Sequence, residues 1–118
     1  MALKNDCIFC KIVCREIKSE IVAETNNFIA FLDVHPVAQG HTLVIPKKHH
    51  VTLLDIPASL GEELLSLCKR ISSDFLDRKL GDAFNLAMNN LPPAGQIVPH
   101  AHIHLIPRKE GENIKRVI

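Results

Sequence analysis

A chain of 118 residues with 47% hydrophobic and 23% charged side chains is sized for one domain around a single core. Its net charge of +1, with histidine neutral, gives no electrostatic grip on nucleic acid or an anionic membrane. Five Phe without Trp or Tyr argue against a base-stacking platform for single strands.

The opening MALKNDCIFC lacks an apolar signal segment, and no run reaches bilayer length. The expected compartment is therefore the cytosol, with the nucleus also open to it. There four cysteines are thiols or metal ligands rather than disulfides. Residues 7–17 (CIFCKIVCREI) have mixed periodicity and read as a loop or one to two helical turns. Residues 20–24 and 28–33 read as strands, joined by a tight hairpin at Asn26-Asn27. HPVAQG is a loop closed by Gly40, with His35 as a turn residue before Pro36. Residues 41–46 (HTLVIP) form a β-branched strand that a proline can end.

A long helix follows. Ser59 and Glu62 have capping-box spacing. Leu60, Leu64, Leu67, Cys68, Ile71, Phe75 and Leu76 fall on one apolar stripe, which reads as core. Residues 83–90 (AFNLAMNN) form another strand, LPPAGQ a turn-rich loop, and 100–107 (HAHIHLIP) the last strand. Residues 108–118 read as a polar tail that orders only by docking. Five short strands, a short N-terminal helix and one long helix predict an α+β fold. Its sheet should be mostly antiparallel, with the long helix on one face and the histidines on the other.

Along PHAHIHLIPR, His100, His102 and His104 alternate with Ala101, Ile103 and Leu105. Period two directs the histidines to one face, about 6.5–7 Å apart, and the apolar residues to the core. Three imidazoles in register are more than decoration of an exposed face. They can share a metal with a further ligand, as in an open catalytic zinc site. They can instead attack phosphorus directly, because neutral imidazole is abundant near pH 7 and flanking rings can hydrogen-bond phosphoryl oxygens. The absence of a GxxxxGK[ST] loop or a carboxylate cluster for Mg²⁺ favours the second chemistry. His41 and Asn89, at strand ends, would add polar groups. Cys7-x-x-Cys10 is half a zinc site by spacing, weighed against two buried thiols. A redox pair lacks the βαβ context it would need.

QIVPHAHIHLI resembles the signature of the histidine triad (HIT) family of nucleotide hydrolases and transferases. CIFCKI, FIAFLDVHPVAQGHTLVIPKKH and MNNLPPAGQ resemble its other segments in order, over residues 7–107 of a domain expected to fill 1–118. The resemblance implies a HIT-like fold and nucleoside monophosphoryl transfer without Mg²⁺ or an organic cofactor. His102 would be the nucleophile forming a nucleotidyl-histidine. His104 and His41 would contact the α-phosphate, and Gln96 would lie near the phosphate and leaving group. Asp33 would take the ribose hydroxyls, and Asn89 would join the phosphate side. Ile8, Phe9, Ile12, Phe31, Leu43 and Ile45 would form the slot for the base.

The wording of CxxC and GHTLVIPKKHH resembles the phosphoramidase branch, whose substrates are purine nucleoside phosphoramidates of the AMP-NH₂ or AMP-lysine type. Dinucleoside polyphosphate hydrolysis, or a nucleotide-binding scaffold with vestigial turnover, are the alternatives. Ile97 departs from that branch, whose animal members carry a serine there that bonds the leaving group. Zinc-containing members imply a structural site at Cys7, Cys10, His49 and His100, with His50 as the alternative to His49. Cys14 and Cys68 would then be small core residues. The resemblance also implies a homodimer and a purine nucleoside monophosphate or its phosphoramidate as partner, with no nucleic acid or membrane.

Overall fold

Alternation along two central strands organises the whole molecule. The computed structural model describes residues 4–114 and 117–118. In β2 (Phe28–Leu32), Phe28 and Ala30 point one way while Ile29 and Phe31 point the other; in β3 (Thr42–Pro46), Val44 opposes Leu43 and Ile45. Both strands are buried on both faces, so the sheet carries two cores.

The sheet is antiparallel throughout, in the order β1-β2-β3-β5-β4, with β1 at Ile21–Glu24, β4 at Ala83–Ala87 and β5 at Ile103–Arg108. Helix α2 (Gly61–Asp77) covers one face, packing Leu67, Cys68, Ile71 and Phe75 against Phe28, Val44, Ile103 and Leu105. The short helix α1 (Ile8–Val13) lies on the other, where Cys7, Phe9, Cys10 and Ile12 meet Ile29, Phe31, Leu43 and Ile45. The expected α+β arrangement is observed, with Ile103 and Leu105 toward α2 and the histidines opposite.

The β1–β2 hairpin is held from a distance. Glu63 of α2 accepts hydrogen bonds from the Thr25 hydroxyl and from the Asn27 backbone and side-chain amides. These bonds fix how the hairpin sits on the helix.

Several expectations are corrected. The spacing at Ser59 forms no capping box, because the 3-10 turn Ala58–Leu60 after Pro57 takes Ser59 into its interior; α2 starts from Leu60 without a side-chain cap. A capping box closes instead at Thr52 and Asp55. Leu76 leaves the stripe and is exposed, and so is Cys14, which follows the last turn of α1; Cys68 is core as expected. Strand β4 stops at Ala87, and β5 starts only at Ile103, so His100 and His102 precede the ladder.

The expected tail starts too early, because Arg108 is a buried β5 residue bonded to Asn85 and Glu112. Glu110 N–H donates to Asp82, tying that segment to the strand entry. Residues 1–3 of the N-terminal segment and 115–116 of the tail lie outside the described residues. Among the described residues no helix is long and apolar enough to cross a membrane.

Candidate functional site

On the α1 face, β2, β3, the start of β5 and the 89–98 loop enclose a cavity of about 740 Å³. Ile8, Phe9, Ile12, Phe31 and Leu43 line an apolar part, while Asp33, Asn89, Gln96, His102 and His104 supply polar groups. Ile45 does not reach it. It shares a face with Leu43 but is sealed in the core at 0% exposure. His41 also does not line the cavity; it is buried behind His104.

Backbone groups set the ring tautomers, and these decide the chemistry. Nδ1 of His102 lies 2.7 Å from the His100 carbonyl, which can only accept, so Nδ1 carries the proton. Its Nε2 therefore keeps a lone pair. Nδ1 of His41 accepts the Val37 N–H at 3.1 Å, which places its proton on Nε2. That Nε2–H donates to His104 Nδ1 at 2.9 Å, with the Asp33 carboxylate 3.5 Å away. Neutral His104 then carries its own proton on Nε2. The cavity thus faces one imidazole lone pair, on His102, and one imidazole N–H, on His104.

Burial keeps these rings neutral. It lowers the His102 pKa against the pull of the His100 carbonyl and Asp33, and it lowers His41 in the same way against Asp33. His104 is driven to about 4, by burial first and then by the neighbouring His102 and His41. Phe9 stands edge-on to both His100 and His102, with centroids 5.7 and 5.1 Å away, and so fixes their planes.

The first triad histidine serves another cluster. His100 is fully buried, and its Nε2–H donates to the Pro46 carbonyl at 2.9 Å. Its free Nδ1 lies 3.3 Å from Cys7 Sγ and 3.6 Å from Cys10 Sγ; His49 Nδ1 lies 3.2 Å from Cys10 Sγ. The four donor atoms all fall within 4.8 Å of one another, so this group could hold a metal. A ligand imidazole oriented through its other nitrogen is the arrangement metal sites use. Burial raises the Cys10 thiol pKa, and a bound cation would reverse that. His50, the alternative ligand, is outside the cluster; its carbonyl accepts the Ala101 N–H.

Asp33, His41 and His104 also bring three donor atoms together. A metal there would have to displace the Nε2 proton of His41, whose Nδ1 already accepts an N–H, leaving an imidazolate. This trio reads instead as a hydrogen-bonded chain that holds the His104 proton on Nε2.

Some contributors were not legible in the residues. The tautomer-setting groups (the Val37 N–H and the carbonyls of Pro46 and His100) are main-chain, and any residue type would supply them. Lys18 and Ser19, from the α1–β1 connection, line the cavity with no motif to mark them. His35 reaches the rim, its N–H donating to Asp33.

A family model described as the HIT domain matches residues 14–111. The adenylylsulfatase HINT3 of Arabidopsis thaliana is 42% identical over 110 residues, covering 93% of this chain and 56% of that protein. The chain thus spans little more than half that relative's length. The adenosine 5′-monophosphoramidase HNT1 of Candida albicans is 39% identical over 114 residues, covering 93% of this chain and 75% of that protein. Among solved structures, a Zn-bound histidine triad family protein from Mycobacterium smegmatis matches with a TM-score of 0.85 and 36% identity. That match covers 91% of this chain and 78% of the other.

Proposed function

This chain belongs to the histidine triad family, and we propose that it cleaves purine nucleoside phosphoramidates through a nucleotidyl-histidine. The tautomer pair at the cavity carries the reading: a lone pair on His102 Nε2 beside an N–H on His104 Nε2. A nucleophile and a hydrogen-bond donor side by side suit attack on a phosphoryl group.

In the first step, His102 Nε2 forms a bond to the α-phosphorus as the P–N bond to the leaving amine breaks. The amine takes that bond's electron pair together with a proton from solvent, which the second step returns, and departs neutral. Positive charge on the phosphorylated imidazole is stabilised by its Nδ1–H bond to the His100 carbonyl. In the second step, water attacks phosphorus, the histidine–phosphorus bond breaks, and AMP leaves with one of the water protons going to solvent. His104 donates to a phosphoryl oxygen in both steps, and His41 with Asp33 keeps the His104 proton on Nε2. Ile8, Phe9, Ile12, Phe31 and Leu43 would hold the base, Asp33 the ribose hydroxyls and Asn89 the phosphate side. The same attack on adenylyl sulfate would release sulfate, the leaving group implied by the name of the Arabidopsis relative.

Cys7, Cys10, His49 and His100 fit zinc. Four protein ligands close the site, so the ion would brace α1 and the triad's first residue without touching substrate. A homodimer is supported by β4, a sheet edge bearing exposed Phe84 and Leu86, and by exposed Leu65 on α2.

The test is intact-mass analysis of protein mixed briefly with adenosine phosphoramidate and quenched in alkali, wild type beside His102→Ala. AMP added to wild type alone is the expected result. AMP released with no adduct at any time would overturn the covalent route, and neither adduct nor release would overturn the activity.

A further inference from the structure

Gln96 lines the cavity, yet every polar group of its side chain is engaged by the main chain. Oε1 accepts the Leu91 N–H at 2.6 Å, and Nε2 donates to the Val51 carbonyl at 2.7 Å and the Val98 carbonyl at 3.1 Å. The residue is 6% exposed, so these bonds are shielded from water. Both amide hydrogens are spent on main-chain carbonyls, so no N–H of this side chain remains to donate to a substrate.

The residue it grips is strained. Leu91 has φ 75° and ψ 154°, a region that glycine alone enters freely, and its side chain is half exposed and gains little from packing there. Its N–H goes to the Gln96 side chain, and its carbonyl accepts the N–H groups of Ala94 and Gln96. The loop therefore closes on Gln96 at both polar groups of Leu91. It presents Pro92, Ala94 and Gly95 to the cavity wall. Gly95, at φ 99°, sits against Asn89, whose side-chain amide reaches the Gly95 carbonyl at 3.5 Å. The bond to Val98 ties the same amide to the segment leading into the triad.

We infer that Gln96 is a positioning residue, clamping Leu91 in its strained conformation and so fixing the 89–96 loop against His102 and His104. This role differs from contact with the leaving group, and it rests on the phosphoryl-transfer reading of the cavity. The clamp uses backbone partners that exist without substrate, so the free protein is already organised.

A cycle of Gln96→Ala, Leu91→Gly and the double variant tests it by melting temperature and by turnover of adenosine phosphoramidate. Gln96→Ala is expected to lower the melting temperature and to reduce kcat about 10- to 100-fold with KM changed less than about 3-fold. Leu91→Gly removes the strain the clamp opposes. In its background the melting loss shrinks to less than half, and at least half of the lost kcat, on a logarithmic scale, returns. The kcat loss should also be the same for aryl and alkyl amine leaving groups. A double variant as slow as Gln96→Ala, or a loss that shrinks as the leaving group improves, would place Gln96 at the reacting atoms and overturn the inference. Additive melting losses would overturn the clamp itself. Wild type with neither turnover nor adduct would sink the proposed activity, while the melting cycle still decides the clamp.

Discussion

Leu105 and His104 are neighbours on β5 that point to opposite faces, so truncating each should separate stability from activity. Leu105 is 0% exposed and packs into the α2-side core with Phe28, Val44, Leu67 and Ile71. Leu105→Ala removes buried methyl and methylene groups and leaves a cavity that rigid strands cannot close. The cost is about 3 kcal/mol, within the usual range of about 2.7–5. For 118 residues, an unfolding entropy of about 2.1 cal/mol/K per residue gives roughly 0.25 kcal/mol/K, so the melting temperature should fall by about 12 °C. That leaves the protein folded at 25 °C if its total stability lies in the ordinary range of about 5–15 kcal/mol.

The assay is thermal unfolding by circular dichroism at matched protein concentration, beside kcat/KM for adenosine phosphoramidate at 25 °C. Leu105→Ala should keep kcat/KM within about 3-fold, because no atom of Leu105 lines the cavity. His104→Ala should lower it by about 100-fold or more while melting far nearer to wild type. A Leu105→Ala melting shift under about 4 °C, or a loss of kcat/KM rivalling that of His104→Ala, would refute the division of the two faces.

Two further outcomes follow from the same geometry. Cys10→Ser should lower zinc per chain, measured by plasma mass spectrometry on protein purified without chelator, and reduce the melting temperature while AMP release persists. Equal zinc in both proteins would remove Cys10 from the ligand set. The pH dependence of stability has a definite sign: His104 titrates at about 4 in the folded chain and near 6.5 unfolded, so acid favours the unfolded state. Stability is whole above about pH 6.5, falls as pH drops toward 4, and is flat from this group below that. Urea midpoints at pH 7, 5.5 and 4.5 should show the decline, and His104→Gln should lessen it without abolishing it. His41, His100 and His102 are depressed in the same direction. An unchanged slope would refute the burial argument.

Much of the site was readable because side-chain direction in a strand alternates whatever the rest of the chain does. The period-two row put His102 and His104 on the face opposite Ile103 and Leu105, whereas Leu43 and Phe31, which line the apolar part of the cavity, were expected from the family resemblance. Alternation says nothing about distance along a strand. Ile45 shares the face of Leu43 yet is sealed in the core, and His41 came to rest behind His104 rather than beside the cavity. Cys14 and Ser59 failed for a related reason, since local spacing cannot say where a helix stops packing or how its first turn is entered.

The sequence by itself determined which residues share a face and which could carry chemistry: the imidazole row, the thiol pair, the core stripe of α2. Those follow from local periodicity and side-chain type. Tertiary structure alone decided the partners. It brought Cys10 to His49 across 39 residues and to His100 across 90, and it chose His49 over His50. It also assigned the protons, because the Val37 N–H and the carbonyls of Pro46 and His100 are set by the path of the backbone. Main-chain groups are the same in every residue. Their positions, which leave a lone pair on one ring and an N–H on its neighbour, therefore exist only once the chain has folded.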